Sequence, residues 1–201
     1  MKVFIPSSVN YLGRMNHADS VSLIHECIAG NEDTIEVFVH QYETDVFRLA
    51  LSIVGDQAEA NEITQETFLS ALKSFRSYRE RNSIKAWLYT IALNHSRSHL
   101  RKHKFLERLK INVTNIFQLE ESHKPASPED VFIQGEKEAV IWVELNKLDE
   151  RHRTVVILRY FHDLSTLEIA EILAINEGTI HSRLHTARER LRKSLGSLRG
   201  E

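Results

Sequence analysis

Between Asp163 and Leu195 the chain reads DLSTLEIAEILAINEGTIHSRLHTARERLRKSL, and this stretch constrains the fold most tightly. Ser165-Thr166-Leu167-Glu168 has the Ser-x-x-Glu form of a capping box, which starts a short helix with Ile169, Ala170, Ile172 and Leu173 on its buried side. Asn176 suits the N-cap of a second helix, whose apolar stripe is Ile180, Leu184, Ala187 and Leu191. Opposite that stripe lie His181, Ser182, Arg183, His185, Arg188, Arg192 and Lys193. Two short helices around a tight turn, the second cationic outward, form a helix-turn-helix that presents the start of its second helix to base edges in the major groove. A hairpin packed only on its own protein would account for the stripe, but not for the cationic face.

The rest of the chain is also patterned for helices. Only three prolines and seven glycines occur in 201 residues, a poor supply of turns for a many-stranded fold. The first helical pattern runs from about Asp19 to Ala29 and stops at Gly30. The second carries Ile35, Phe38, Val39, Tyr42, Val46, Leu49, Ala50 and Ile53 on one face and ends at Gly55. Asp56-Gln57-Ala58-Glu59 resembles another capping box, and its helix buries Ala60, Ile63, Thr64, Thr67, Phe68, Ala71 and Leu72. A polar loop, Ser74 to Ser83, leads to a fourth helix with Trp87, Leu88, Ile91 and Ala92 inward, running to about Lys104. Periodicity fades over 106–137, where Pro125 and Pro128 sit in ESHKPASPED, as in an extended linker. Its Ile111, Val113, Ile116, Phe117 and Leu119 are more apolar than a spacer needs, so the segment is expected to dock on something. Val140, Ile141, Val143, Leu145, Leu148, Val155, Val156, Leu158 and Phe161 resume the helical pattern. The expected fold is therefore all-α: a tail over 1–18, one helical domain over 19–105, a linker over 106–137 and a second domain over 138–198.

The net charge of −2 conceals a segregation. Residues 1 to 72 carry a net −8, residues 73 to 104 a net +8 and residues 180 to 199 a net +5. Two basic blocks in an acidic chain read as two nucleic-acid contacts. In the first block Phe75, Tyr78 and Trp87 accompany Arg76, Arg79, Arg81, Lys85, Arg97, Arg101 and Lys102. Cations that follow a phosphate backbone, beside aromatics able to stack on unpaired bases, suit single-stranded DNA, although Phe75 and Trp87 fit a core equally well. Glu59, Glu62 and Glu66, with Gln65 beside them, form an acidic stripe without i,i+4 lysines. Such an unpaired row suits a basic protein partner.

Several classes are excluded. Cys27 is the one cysteine, so no disulfide within the chain and no multi-thiolate zinc site is possible. It reads as a small buried hydrophobe. No apolar run reaches membrane-spanning length, and Pro6, Ser7, Ser8 and Asn10 interrupt any leader-like core near the start. No glycine-rich phosphate loop or GxSxG is present, so neither an enzyme nor a cofactor is expected. His95, His99 and His103 recur every fourth residue, and His181 and His185 repeat the spacing. Two histidines at i,i+4 can chelate zinc, but no further ligands are spaced nearby. Flanked by arginines, these histidines are expected to face DNA, with no metal bound.

GDQAEANEITQETFLSALKSF followed by KAWLYTIALNHSRSHLRK resembles region 2 of bacterial RNA polymerase sigma factors. LDERHRTVVILRYFHDLSTLEIAEILAINEGTIHSRLHTARERLRKSL resembles their region 4. With these two regions and a short linker, the chain resembles the extracytoplasmic-function (ECF) group of the sigma-70 family. The ordered pair is specific; region 4 alone resembles many regulators.

The resemblance implies a non-enzymatic cytoplasmic initiation factor whose partners are core RNA polymerase, through its beta-prime and beta subunits, promoter DNA and an anti-sigma factor, itself able to hold the chain at the membrane. It implies that Glu62, Gln65 and Glu66 bind the polymerase clamp. It implies that Arg76, Tyr78, Arg79, Arg81, Trp87, Asn94, Arg97, Arg101 and Lys102 engage the minus-ten element, the loop from Arg76 to Ser83 capturing a flipped base. Region 4 would read the minus-thirty-five element through Thr179, His181, Ser182, Arg183, His185, Thr186 and Arg188. Relatives often carry arginine where this chain has His181, His185 and Thr186, and neutral imidazoles read bases differently from bidentate arginines. The rival reading is a helix-turn-helix regulator with an N-terminal sensing or dimerisation bundle, which would bind a palindromic duplex without polymerase.

Overall fold

The computed structural model of the chain describes residues 17–78, 83–114 and 136–197. Residues 1–16 of the expected tail over 1–18, Arg79, Arg81 and most of the expected linker lie outside these residues, and His17 and Ala18 already belong to the first helix. All regular elements among the described residues are helical. The first four α-helices are α1 (His17–Ile28), α2 (Glu32–Val54), α3 (Gln57–Ser74) and α4 (Ile84–Thr114), with a 3-10 turn at Phe75–Ser77 after α3. Four more follow: α5 (Glu136–Asn146), α6 (Glu150–Val156), α7 (Thr166–Leu173) and α8 (Glu177–Ser197).

Local chemistry sets the boundaries. Asn31 caps α2 by accepting from the Thr34 backbone N–H. At its end Gly55 takes φ 80° and donates its N–H to the Leu51 carbonyl at 2.8 Å, a left-handed cap that favours glycine. Asp56 then caps α3 by accepting from Glu59 N at 2.8 Å. Only this arm of the expected capping box forms with Asp56; the Glu59 carboxylate turns to His103 instead. At α7 both arms are present: Ser165 accepts from Glu168 N, and Glu168 accepts from Ser165 N at 2.8 Å.

α2, α3 and α4 enclose the first core. Phe38 is fully buried, and its ring meets Tyr42, Phe68 and Phe75 at centroid separations of 5.4, 5.9 and 5.1 Å. The last two contacts are edge-on, the favoured geometry for aromatic pairs. Thr64 and Thr67 are buried too, their hydroxyls donating to the Ala60 and Ile63 carbonyls at 2.7 Å, so neither hydroxyl is stranded. Cys27 is buried as expected.

Two sequence expectations need correction. α4 runs to Thr114 rather than Lys104, so the stretch 106–114, read as the start of a linker, is helical. It holds no proline or glycine to end the helix. In α5, Val140, Ile141 and Val143 are exposed at 42, 40 and 42% rather than inward, whereas Leu145 and Leu148 are buried. Phe161 is likewise exposed and pairs with Trp142 at 4.8 Å.

The same buried cluster continues into α6, α7 and α8 through Val155, Val156, Leu158, Ile169, Ile172, Ile180, Leu184 and Ala187. α6 passes into a π-helical turn at Ile157–Phe161. Just beyond it the two domains meet: α4 packs on α7, and the fully buried Tyr89 is hydrogen-bonded through its hydroxyl to His162 Nδ1 at 2.8 Å. Arg97 of α4 pairs with Glu150 of α6 at 3.3 Å.

Candidate nucleic-acid interface

The helix-turn-helix has the expected shape. Ile180, Leu184 and Ala187 are buried, which turns the other side of α8 outward. His181, Ser182, His185 and Arg188 are exposed there, with Thr179, Arg183 and Thr186 half-buried at its edges. The turn rests on Ala174, which takes φ 52°, a conformation that costs a non-glycine residue about 1–2 kcal/mol. Thr166 donates its hydroxyl to Glu177 at 2.5 Å and ties the start of α7 to the start of α8. His181 lies 3.7 Å from the same carboxylate, while Arg192 pairs with Glu189 at 2.9 Å. The face is therefore cationic but not uniformly so.

The first basic block divides into three environments. Asn94, Arg101, Lys102 and Arg76 are exposed. Tyr78 and Trp87 are half-buried against one another at 5.4 Å, and Trp87 also stacks on Phe75 at 5.8 Å. Phe75 itself is buried, which makes it a core residue and not a base contact. Lys85 pairs with Asp45 at 2.7 Å and lies over the Tyr89 ring, and Arg97 is engaged by Glu150. These two cations already have partners. Burial, reinforced by the Lys85 and Arg48 charges and opposed by Asp45, holds His162 down to about 4. Burial also raises the Tyr89 phenol, with Asp45 adding to the effect and Arg48 opposing it.

The acidic stripe overturns one expectation and refines another. Glu62 and Gln65 are exposed on α3. Glu66, however, meets His95 Nδ1 at 3.1 Å and His99 Nε2 at 3.5 Å, and Glu59 meets His103 Nε2 at 2.5 Å. His95 Nε2 is bonded to the Ser70 hydroxyl at 2.9 Å. As α3 is followed back from 70 to 59, α4 advances from 95 to 103, so the two helices form an antiparallel hairpin. The histidine row expected to face DNA faces the carboxylate row expected to be unpaired. The signal was in the sequence, since both rows have helical spacing. Their registration depends on the intervening turn, which spacing does not supply.

Residues 38–105 match the family model for Sigma-70 region 2, and residues 145–193 match that for Sigma-70, region 4. The ECF RNA polymerase sigma factor SigW of Bacillus subtilis (strain 168) is 33% identical over 173 residues, covering 84% of this chain and 92% of SigW. The chain belongs to the ECF RNA polymerase sigma factors. The RNA polymerase sigma factor YlaC of the same organism is 32% identical over 85% of this chain and 97% of its own. Two solved structures share the fold. CnrH, in complex with the cytosolic domain of CnrY, gives a TM-score of 0.64 at 20% identity, covering 89% of this chain and 97% of that one. The sigma factor RpoE, in complex with the anti-sigma factor NepR from Bartonella quintana, gives 0.61 at 24% identity over 80% of this chain and 96% of that one.

As an ECF sigma factor the protein directs core RNA polymerase to promoters and takes part in opening the DNA there. The relatives align through most of their length and both regions match in order, so a free-standing helix-turn-helix regulator is not favoured. No helix among the described residues is long and apolar enough to cross a membrane.

Proposed function

We propose that this sigma factor distributes its work over three faces. Glu62, Gln65 and Glu66 dock on core polymerase, where Glu62 and Gln65 offer exposed polar groups to a basic partner. Arg76, Tyr78, Arg79, Arg81, Trp87, Asn94, Arg97, Arg101 and Lys102 hold the opened minus-ten strand. Unpairing costs a few kcal/mol per base, and an extruded base stacked on Tyr78 beside Trp87 recovers part of that cost. Thr179, His181, Ser182, Arg183, His185, Thr186 and Arg188 read the minus-thirty-five element.

The observation that carries the assignment is the outward face of α8, where His181, Ser182, His185 and Arg188 are exposed while Ile180, Leu184 and Ala187 are buried. Early residues reach base edges and later cations reach phosphate. The protein works in the cytoplasm without catalysing a reaction of its own, and an anti-sigma protein restrains it; the RpoE neighbour is bound to such a protein. The test is selection from a randomised minus-thirty-five library with holoenzyme carrying wild-type or His185→Ala sigma factor. The variant is expected to change the preferred bases while retaining run-off transcription from the newly preferred promoter. An unchanged preference refutes His185 as a reader.

A further inference from the structure

We propose that the facing rows of α3 and α4 build a site for a divalent transition metal, with Glu62, Glu66 and His99 as its ligands and zinc as the cation that suits them. One ligand atom from each of these residues lies within 4.8 Å of the other two. Ligand atoms about 2.0–2.2 Å from a tetrahedral zinc stand closer together than that, about 3.4 Å apart. His99 Nε2 and Glu66 Oε2 already stand 3.5 Å apart, so rotation of the exposed Glu62 side chain is enough to close the difference. The donors come from both arms of the hairpin: Glu62 and Glu66 at i,i+4 on α3, and His99 from α4. This is the arrangement that lets rigid helices fix a ligand set rather than leave it to a loop.

The donor chemistry selects the metal class. Calcium and magnesium take oxygen ligands, whereas an imidazole nitrogen beside two carboxylates suits zinc and its neighbours in the first transition row. His99 is the anchor. Its side chain is only 14% exposed, and its Nε2 points at Glu66 Oε2 from 3.5 Å. His95 contacts the same carboxylate oxygen from 3.1 Å through Nδ1 while Ser70 holds its Nε2. It therefore orients Glu66 from outside the ligand set, as a supporting hydrogen bond does for a metal-bound carboxylate. Three protein ligands leave a coordination position open on the solvent side.

A consequence rests on the docking role proposed above for Glu62 and Glu66. A bound dication cancels the charge of both carboxylates and occupies their oxygens. Metal loading then weakens the attraction of this face for a basic partner and lowers the affinity for core polymerase.

The site is tested on the full-length chain without polymerase, by titration with Co²⁺ followed by visible absorption and then displacement with Zn²⁺. One equivalent of Co²⁺ is expected to give the strong bands of a four-coordinate ion, lost on adding Zn²⁺. His99→Ala and Glu62→Gln should each weaken binding at least about a hundredfold, as loss of a ligand does more harm than the 10–100-fold typical of a supporting residue. His103→Ala, on the same row but outside the ligand set, should bind as wild type. Because Glu62 is exposed, Glu62→Gln keeps the test valid even where His99→Ala disturbs the hairpin. Absence of saturable one-to-one binding, or wild-type binding by both ligand variants, overturns the site. Polymerase affinity is measured separately, with zinc and with a chelator. Equal affinities overturn the coupling, and failure of Glu62→Lys with Glu66→Lys to weaken docking in chelator overturns the docking role while leaving the metal site standing.

Discussion

Acidification should part the two domains over a window set by His162. The imidazole sits where α4 meets region 4, its Nδ1 2.8 Å from the Tyr89 hydroxyl and its ring edge-on to the tyrosine at 5.2 Å. Burial, aided by Lys85 and Arg48 against Asp45, holds it down from its ordinary 6.5 to about 4. An open or unfolded chain therefore takes up a proton below about pH 6.5 that the closed contact refuses until about pH 4. The contact's contribution is complete above pH 6.5 and is lost progressively as pH falls towards 4. Over that interval, at about 1.4 kcal/mol per pH unit, the loss reaches about 3 kcal/mol. This weakens the closed contact, which the buried apolar cluster continuous between the two domains also supports, and shifts the chain towards its open form.

The assay is energy transfer between dyes on cysteines introduced at exposed Lys73 and Lys193. Cys27 does not interfere, because it is buried and its thiol is pushed up to about 11 by burial and by Glu26. Transfer should fall between pH 6.5 and 5. In His162→Gln, which keeps a hydrogen-bonding side chain but does not titrate, the profile should be flat over the same interval. Coincident profiles for the two proteins would refute the reasoning.

Three further outcomes follow from packing and backbone geometry. Phe38→Ala removes the ring at the centre of the first core and should cost about 3–5 kcal/mol, read as a lower urea midpoint at unchanged slope. Ala174→Gly relieves the φ 52° turn of the helix-turn-helix and should stabilise region 4 by about 1 kcal/mol, seen as a higher melting temperature. Ser165→Ala deletes the side-chain arm of the capping box and should destabilise by about 1 kcal/mol, with faster amide exchange at Glu168 if the first turn of α7 frays.

What the sequence made legible was local. The helix-turn-helix was readable because the capping box, the Ile180, Leu184 and Ala187 stripe and the polar outward face all lie within about thirty contiguous residues, and each device is intrinsic to its own helix. The aromatic core was readable for the same reason, with Phe38 and Phe68 at helical spacing. The errors arose where a partner element decides. Val140, Ile141 and Val143 have the spacing of a buried face, yet periodicity does not say whether anything covers it. α4 outran its expected end because residues 107–110, Glu-Arg-Leu-Lys, are good helix formers and the stop signals lie farther on. The Glu66–His99 and Glu59–His103 contacts needed the register of an antiparallel hairpin. Tyr89 and His162, 73 positions apart, needed the whole fold.

Those long-range contacts give α4 three sides with different tasks, and one consequence is measurable. His95, His99 and His103 face α3, Tyr89 and Arg97 face region 4, and Asn94, Arg101 and Lys102 face solvent. Closure of the domains therefore removes Arg97 from the proposed strand-binding face without covering that face. The cost of closure to DNA binding is one phosphate contact, not all of them. For single-stranded DNA each contact contributes about 0.7 to the slope of log affinity against log salt. Breaking the pair with Glu150→Ala should release Arg97 and steepen that slope by about 0.7 for the free full-length chain binding a fluorescent single-stranded oligonucleotide, measured by anisotropy. Arg97→Ala should leave the wild-type slope nearly unchanged, because in the closed chain Arg97 is already committed to Glu150. Combining the two substitutions should abolish the gain, which separates release of Arg97 from simple removal of a repulsive carboxylate. A steeper slope that persists in the double variant would show that Glu150 acts through its own charge, and that Arg97 is not the group that closure withholds from DNA.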